Sequence, residues 1–184
     1  MTGQIADAIR YKSELYNLIG IDGEGLFTPE DFDISTRPAT TACWRGFQML
    51  YDCINGELIL EQMNVNTPNA TQINGVEPTP GDFGFSHLYE DLKIKTKFSG
   101  KLLLGKDFIS SMYVHMGFQS VESFETVIEL EIENGNILQE NDLSAEMEKR
   151  REQGVGKPSR PSTMDDNDVM NWIEDRFSQD YKSE

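Results

Sequence analysis

The sequence is poor in the side chains that carry most protein chemistry. Its 184 residues include two cysteines, Cys43 and Cys53, and two histidines, His87 and His115. Two cysteines cannot staple a disulfide scaffold, and neither has a Cys or His neighbour at zinc-ligand spacing, so both are expected as reduced thiols. A phosphate-cradling glycine loop, a G-x-S-x-G elbow, paired histidines and a Ser/His/Asp order are all missing. No catalytic residue, metal site or cofactor is therefore assigned. Positive charge is scarce as well: 16 Lys plus Arg face 32 Asp plus Glu, a formal net charge of −16. A field of that sign repels phosphate backbones and anionic lipid surfaces, which argues against direct nucleic-acid or membrane partners. Long apolar runs are lacking too. No stretch approaches the ~20 residues of a membrane-spanning helix, and Met1 to Asp7 has neither the basic start nor the apolar run of a signal peptide, so a cytoplasmic location is expected.

What is present is a set of hairpin signals. Asn-Gly tolerates the positive φ angles of a type I′ turn, and it occurs twice between apolar-alternating runs. With Asn55-Gly56 as a turn, Cys53 faces Leu58 and Tyr51 faces Leu60, which gathers Phe47, Met49, Tyr51, Cys53, Leu58 and Leu60 on one side. Asn134-Gly135 likewise sets Phe124, Ile128, Leu130, Ile132 and Ile137 on a core face and Glu125, Glu129, Glu131 and Glu133 on a wet one. A third hairpin is expected at Ser99-Gly100, with Lys93, Lys95 and Lys97 on its outer face. A fourth is expected at Lys12-Ser13, pairing Ile9-Arg10-Tyr11 with Glu14-Leu15-Tyr16 ahead of a glycine-rich bend at residues 20–25. Thr28-Pro29-Glu30-Asp31-Phe32 has the order of one capped helical turn. Residues 64–85, rich in Pro, Gly, Asn and Thr, predict a long loop over the sheet.

The character changes after Leu143. Residues 144–153 read as a charged helix, 154–164 as a flexible linker, and 165–184 as an amphipathic tail helix on which Val169, Trp172, Ile173 and Phe177 share a face. The expected fold is thus mainly β (α+β): a hairpin-built antiparallel sheet at 1–143 forming a sandwich or partly open barrel, with a charged helix and a tethered amphipathic helix behind it.

Two sets of residues are candidates for function. Glu125, Glu129, Glu131 and Glu133 form a carboxylate row, and Trp172, Ile173 and Phe177 have the spacing of helix-in-groove anchors; together they suit a basic protein partner. The bland alternative is a solvated strand face and a helix packed back on the sheet. The second set is Arg37, Trp44, Arg45 and His115, in which an indole, guanidinium groups and an imidazole would line a small-ligand pocket. Against it stand core packing by Trp44, a structural salt bridge for each arginine and a satisfied core or edge histidine. Oligomeric state is not legible.

The strings Gly25-Leu26-Phe27-Thr28-Pro29-Glu30-Asp31-Phe32, Thr41-Ala42-Cys43-Trp44-Arg45-Gly46-Phe47 and Tyr113-Val114-His115-Met116-Gly117-Phe118, with the Asn55-Gly56 hairpin, resemble a loose group of uncharacterised bacterial proteins, some from toxin-immunity or defence loci. The resemblance spans residues 9–143. It transfers no catalytic residue and implies a bacterial accessory protein. Charge complementarity, separately, points to a non-enzymatic binding protein of the immunity-inhibitor kind, with a nuclease toxin as the type of basic partner.

Overall fold

The computed structural model describes residues 2–181. Alternation of apolar and polar residues, punctuated by turns, yields strands β1 (Ala8–Tyr11), β2 (Glu14–Glu24), β3 (Phe47–Ile54), β4 (Glu57–Val65), β5 (Thr79–Pro80), β6 (His87–Tyr89), β7 (Ile94–Lys95), β8 (Ser99–Phe108), β9 (Phe124–Glu133) and β10 (Asn136–Asp142). Helices α1 (Ser144–Glu152) and α2 (Asp166–Phe177) follow.

The sheet closes on itself, so the architecture is a seven-strand barrel and the sandwich expectation is corrected. The order β10-β9-β8-β2-β1-β3-β4 is antiparallel except for the parallel pair β1–β3, and β10 returns to β4 at Asn136 opposite Glu57. Closure pairs the start of β10 with the start of β4, while β6 and β5 extend the sheet beyond β4.

The two Asn-Gly turns make the seam. Asn55 and Asn134 have φ of 52° and 47°, and Gly56 and Gly135 have 79° and 76°. The Leu58 amide donates to the Gly135 carbonyl and the Ile137 amide to the Gly56 carbonyl, both at 2.8 Å. Across the join, the Lys95 ammonium donates to Glu57 at 2.6 Å and to Asn136 at 2.9 Å. Farther along β4, its outer edge pairs with β7 at Ile59–Leu60 and with β6 at Met63–Val65.

The interior is filled by side chains. Ile9, Leu18, Met49, Tyr51, Leu58, Leu60, Met63, Leu102, Leu104 and Leu130 are all fully buried, and each such burial contributes on the order of 1.5–3 kcal/mol. The β3–β4 register pairs Cys53 with Leu58 and Tyr51 with Leu60, as the turn requires. Residues 66–78 close one end as a long loop: Ile73 joins the core, the Thr67 hydroxyl donates to the Ser35 carbonyl at 2.6 Å, and the Tyr89 hydroxyl donates to the Thr71 carbonyl at 2.7 Å. Thr28 precedes the expected short turn at Pro29–Phe32, and its amide donates to the Asp31 carboxylate at 2.7 Å.

Three local expectations are corrected. Ser99-Gly100 is no turn but the start of β8, where Gly23 and Gly100 pair and a Cβ on Gly100 would lie 2.1 Å from the Asp22 carbonyl. That glycine serves close backbone approach. Lys93, Lys95 and Lys97 are exposed as expected, but β7 pairs with β4 and not with β8. Residues 20–24 form no bend, because β2 runs on to Glu24 through a bulge between Leu18 and Gly20. Phe124 leaves the main core for a second cluster outside it, with Ile19, Leu103, Val127 and Met147, because it lies at the barrel rim and the bulge turns Ile19 toward it.

Candidate functional site

Helix α1 covers that second cluster with Met147, which is buried. Its basic last turn holds it there. Arg150 pairs with the buried Glu122 carboxylate at 2.7 Å, and Arg151 donates to the carbonyls of Glu122 and Phe124 at 3.1 and 2.9 Å. At the start of the helix the Asp142 carboxylate is held below its ordinary range by hydrogen bonds from the Ser144 side chain and from the Ser144 amide, the latter at 2.9 Å.

The chain then returns to the barrel. Arg176 is wholly buried, and its guanidinium donates twice to the Met116 carbonyl, at 3.2 and 3.1 Å. Its own carbonyl accepts from the Phe118 amide at 2.7 Å, against Gly117, where a Cβ would lie 2.1 Å away. Residues 179–181 continue along β2: the Ile21 amide donates to the Gln179 carbonyl and the Tyr181 amide to the Ile21 carbonyl, both at 2.8 Å. Lys157 fastens the helix end by donating to the carbonyls of Asp175 and Ser178 at 2.5 and 2.8 Å, and burial lowers its pKa.

These elements frame a charged face on the outside of β2, β8, β9 and β10. Lys101 sits opposite Asp22 on β2 and Glu131 on β9, and Gln139 of β10 lies beyond Glu131. A cleft of about 570 Å³ between barrel, α1 and tail is lined by Glu129, Glu146, Asp175 and Asp180 among others, and a shallower one of about 550 Å³ takes in Asp22, Glu131, Glu133 and Leu138. The two meet at Lys101, and along this trough eight carboxylates stand with three cations, Lys101, Arg150 and Lys157. Asp22, Glu146 and Glu129 all act on the Tyr181 phenol, which burial and these charges push up.

The candidate glutamates are not equivalent. Glu125 and Glu133 are exposed and Glu131 half-buried, whereas Glu129 is buried, 3.4 Å from the Lys101 ammonium and accepting from Asn141 at 3.1 Å. Alternation assigned its face correctly but not the cover that α1 and the tail lay over it.

On the tail, Trp172, Ile173 and Phe177 are half-buried. The Trp172 indole donates to the Pro158 carbonyl at 2.8 Å, and Phe177 stacks on Trp44 at 5.1 Å between ring centroids. A residue of each candidate set thus meets the other.

The second set does not converge. Arg45 makes a bidentate pair with the buried Asp7 at 3.0 and 2.6 Å, and Asp7 also accepts from the Met49 amide at 2.6 Å. Its guanidinium lies 4.5 Å over the Phe47 ring. His115 is exposed, edge-on to Tyr113 at 4.7 Å, and Arg37 is exposed on a different loop. None of the four lines either cleft of the trough. Burial and Asp52 push the Cys53 thiol up to about 12, away from reactivity, while Cys43 donates to the Phe47 carbonyl. Among the described residues, no group of three or more His, Cys, Asp or Glu side chains is placed to hold a metal ion, and no helix is long and apolar enough to cross a membrane.

Asp7, Glu122 and Arg176 were not singled out in the sequence. Each is a charged residue without local pattern, and its partner lies 28 to 60 positions away.

No protein-family model matches the chain, no curated protein matches its sequence, and no solved structure matches its fold.

Proposed function

We propose that this chain is a non-enzymatic binding protein whose acidic trough meets a basic protein partner, in the manner of an immunity-type inhibitor that blocks a phosphate-binding cleft such as that of a nuclease toxin. The observation that carries the reading is the trough itself. The barrel interior is packed with side chains, so recognition falls to the outside, where carboxylates outnumber cations along the trough. Most cations are already spent within the protein: Arg10, Lys12, Arg45, Lys93, Lys95, Lys101, Lys106, Arg150 and Lys157 all lie in ion pairs. The remaining surplus of carboxylates gives the −16 charge an outward direction. Opposite fields of this kind speed encounter and suppress wrong partners. Leu138, 59% exposed on the trough's rim, adds an apolar contact beside Glu131 and Glu133. The alternative of a ligand pocket at Trp44, Arg45 and His115 has weaker support, because Arg45 is neutralised by Asp7 and the three do not face one space.

The test is capture of host proteins on immobilised chain at low and high salt, beside the variant Glu125→Lys/Glu131→Lys/Glu133→Lys. The expected partner is basic, elutes as salt rises and fails to bind the variant. Retention of the same protein by the variant at the same salt refutes the reading.

A further inference from the structure

A separate cleft, of about 300 Å³, opens where the N-terminal segment, the start of β9 and the loop at 109–119 meet. In a protein this acidic its lining is unusual: no charged side chain contributes to it. We propose that this cleft binds a small, neutral, aromatic molecule.

Its walls are apolar and partly uncovered. Ile5, Phe108 and Tyr113 are 36%, 37% and 39% exposed there, and Phe118 and Phe124 lie deeper. Phe108 stands perpendicular to Tyr113 at 6.3 Å between centroids and tilted against Phe124 at 5.4 Å. An incoming ring therefore meets both faces and edges, the two orientations aromatic pairs prefer. The volume lies at the small end of ligand pockets, which are mostly apolar with few polar groups.

The polar groups of the lining are largely committed to the protein. Gln119 exchanges two hydrogen bonds with the Val114 backbone at 2.9 and 2.8 Å, and Gln179 donates to the Leu18 carbonyl at 2.5 Å. Gln4 accepts from the Trp44 amide at 3.0 Å and donates to the Thr41 carbonyl at 3.0 Å. Tyr113 accepts from the Gly3 amide at 3.0 Å, which leaves its own O–H to donate to a ligand. An anion finds no cation in this lining and the protein's whole field against it, and a cation finds no carboxylate. Neutral character follows by charge complementarity, and aromatic character follows from the rings.

The test uses two fluorescent probes on one scaffold: neutral N-phenylnaphthylamine and its sulfonated analogue, anilinonaphthalenesulfonate. The neutral probe is expected to bind the full-length chain saturably at one site, with the sulfonate at least tenfold weaker. Phe108→Ala and Tyr113→Ala should each weaken the neutral probe by about tenfold, the scale of a lost ring contact with its buried area. Phe83, 86% exposed outside the cleft, is the control, and Phe83→Ala should change nothing. Melting curves verify that each variant folds; Tyr113 is a loop residue, so its variant keeps the test open if Phe108→Ala does not fold. Unsaturable binding, binding unchanged in a folded cleft variant, or equal affinity for the sulfonate overturns the proposal. Glu131→Lys/Glu133→Lys, whose positions line the trough and not this cleft, should leave probe binding intact, so this proposal and the trough reading fail separately.

Discussion

Replacing Gly56 and Gly135 in turn by alanine asks whether two turns of identical sequence do the same job. Both glycines hold positive φ, 79° and 76°, and an L-residue there costs roughly 1–2 kcal/mol. At Gly56 nothing lies within 4 Å of the added Cβ, so that strain is the whole effect. For a chain of this size it lowers the melting temperature by about 2–8 °C. At Gly135 the Cβ would stand 2.2 Å from the Thr96 carbonyl oxygen, which is backbone and cannot swing aside. The turn must move, and it carries the seam: the Gly135 amide donates to the Phe98 carbonyl and the Gly135 carbonyl accepts from Leu58, both at 2.8 Å. Each lost bond adds roughly 1 kcal/mol. Gly135→Ala is thus expected to cost about 3–4 kcal/mol in all, or about 6–16 °C by thermal melting followed by circular dichroism. Equal melting temperatures for the two variants would refute the claim that these turns close the barrel.

Three further outcomes follow from the same contacts. Deleting residues beyond Pro161 should lower the melting temperature by several degrees and alter Trp44 fluorescence, because Arg176, Phe177 and residues 179–181 bond to the body; an unchanged melt would show that the tail contributes nothing there. Asp7→Ala should destabilise by about 3 kcal/mol in urea titration, since it strands both Arg45 and the Met49 amide, and a loss under 1 kcal/mol contradicts the buried-pair assignment. Glu140, held below its ordinary pKa of 4.5 by Lys12 and by the Tyr11 hydroxyl, contributes stability that is complete above that value and is lost as pH falls through its lower folded pKa. Glu140→Gln should therefore flatten the acid limb of the stability profile, and an identical acid limb in the variant excludes this carboxylate as a source.

Local chemistry determined a good part of the fold from sequence alone. Asn-Gly tolerates positive φ, and the strings flanking Lys12-Ser13 pair across a two-residue gap that the structure holds at φ of 50° and 67°, so these hairpins and their registers were legible down to Tyr11 opposite Glu14 and Cys53 opposite Leu58. Period-two alternation then named Met49, Tyr51, Leu58, Leu60, Leu130 and Ile132 as core. The single turn after Thr28 and the start of α1 at Ser144 were equally local matters. Closure was not. It depends on Asn136 meeting Glu57, residues 79 apart in the chain, and no short-range pattern distinguishes a sheet that closes from one that stacks. Ser99-Gly100 misled for a related reason: a glycine that frees a turn and a glycine that lets two strands approach look alike until the neighbouring strand is known. Tertiary structure likewise decided the candidate sites. It buried Glu129, spent Arg45 on Asp7 and fastened the tail to the Met116 carbonyl through Arg176 and to β2 through residues 179–181, because the partner of a charged group is chosen by three-dimensional proximity, which composition and periodicity do not encode.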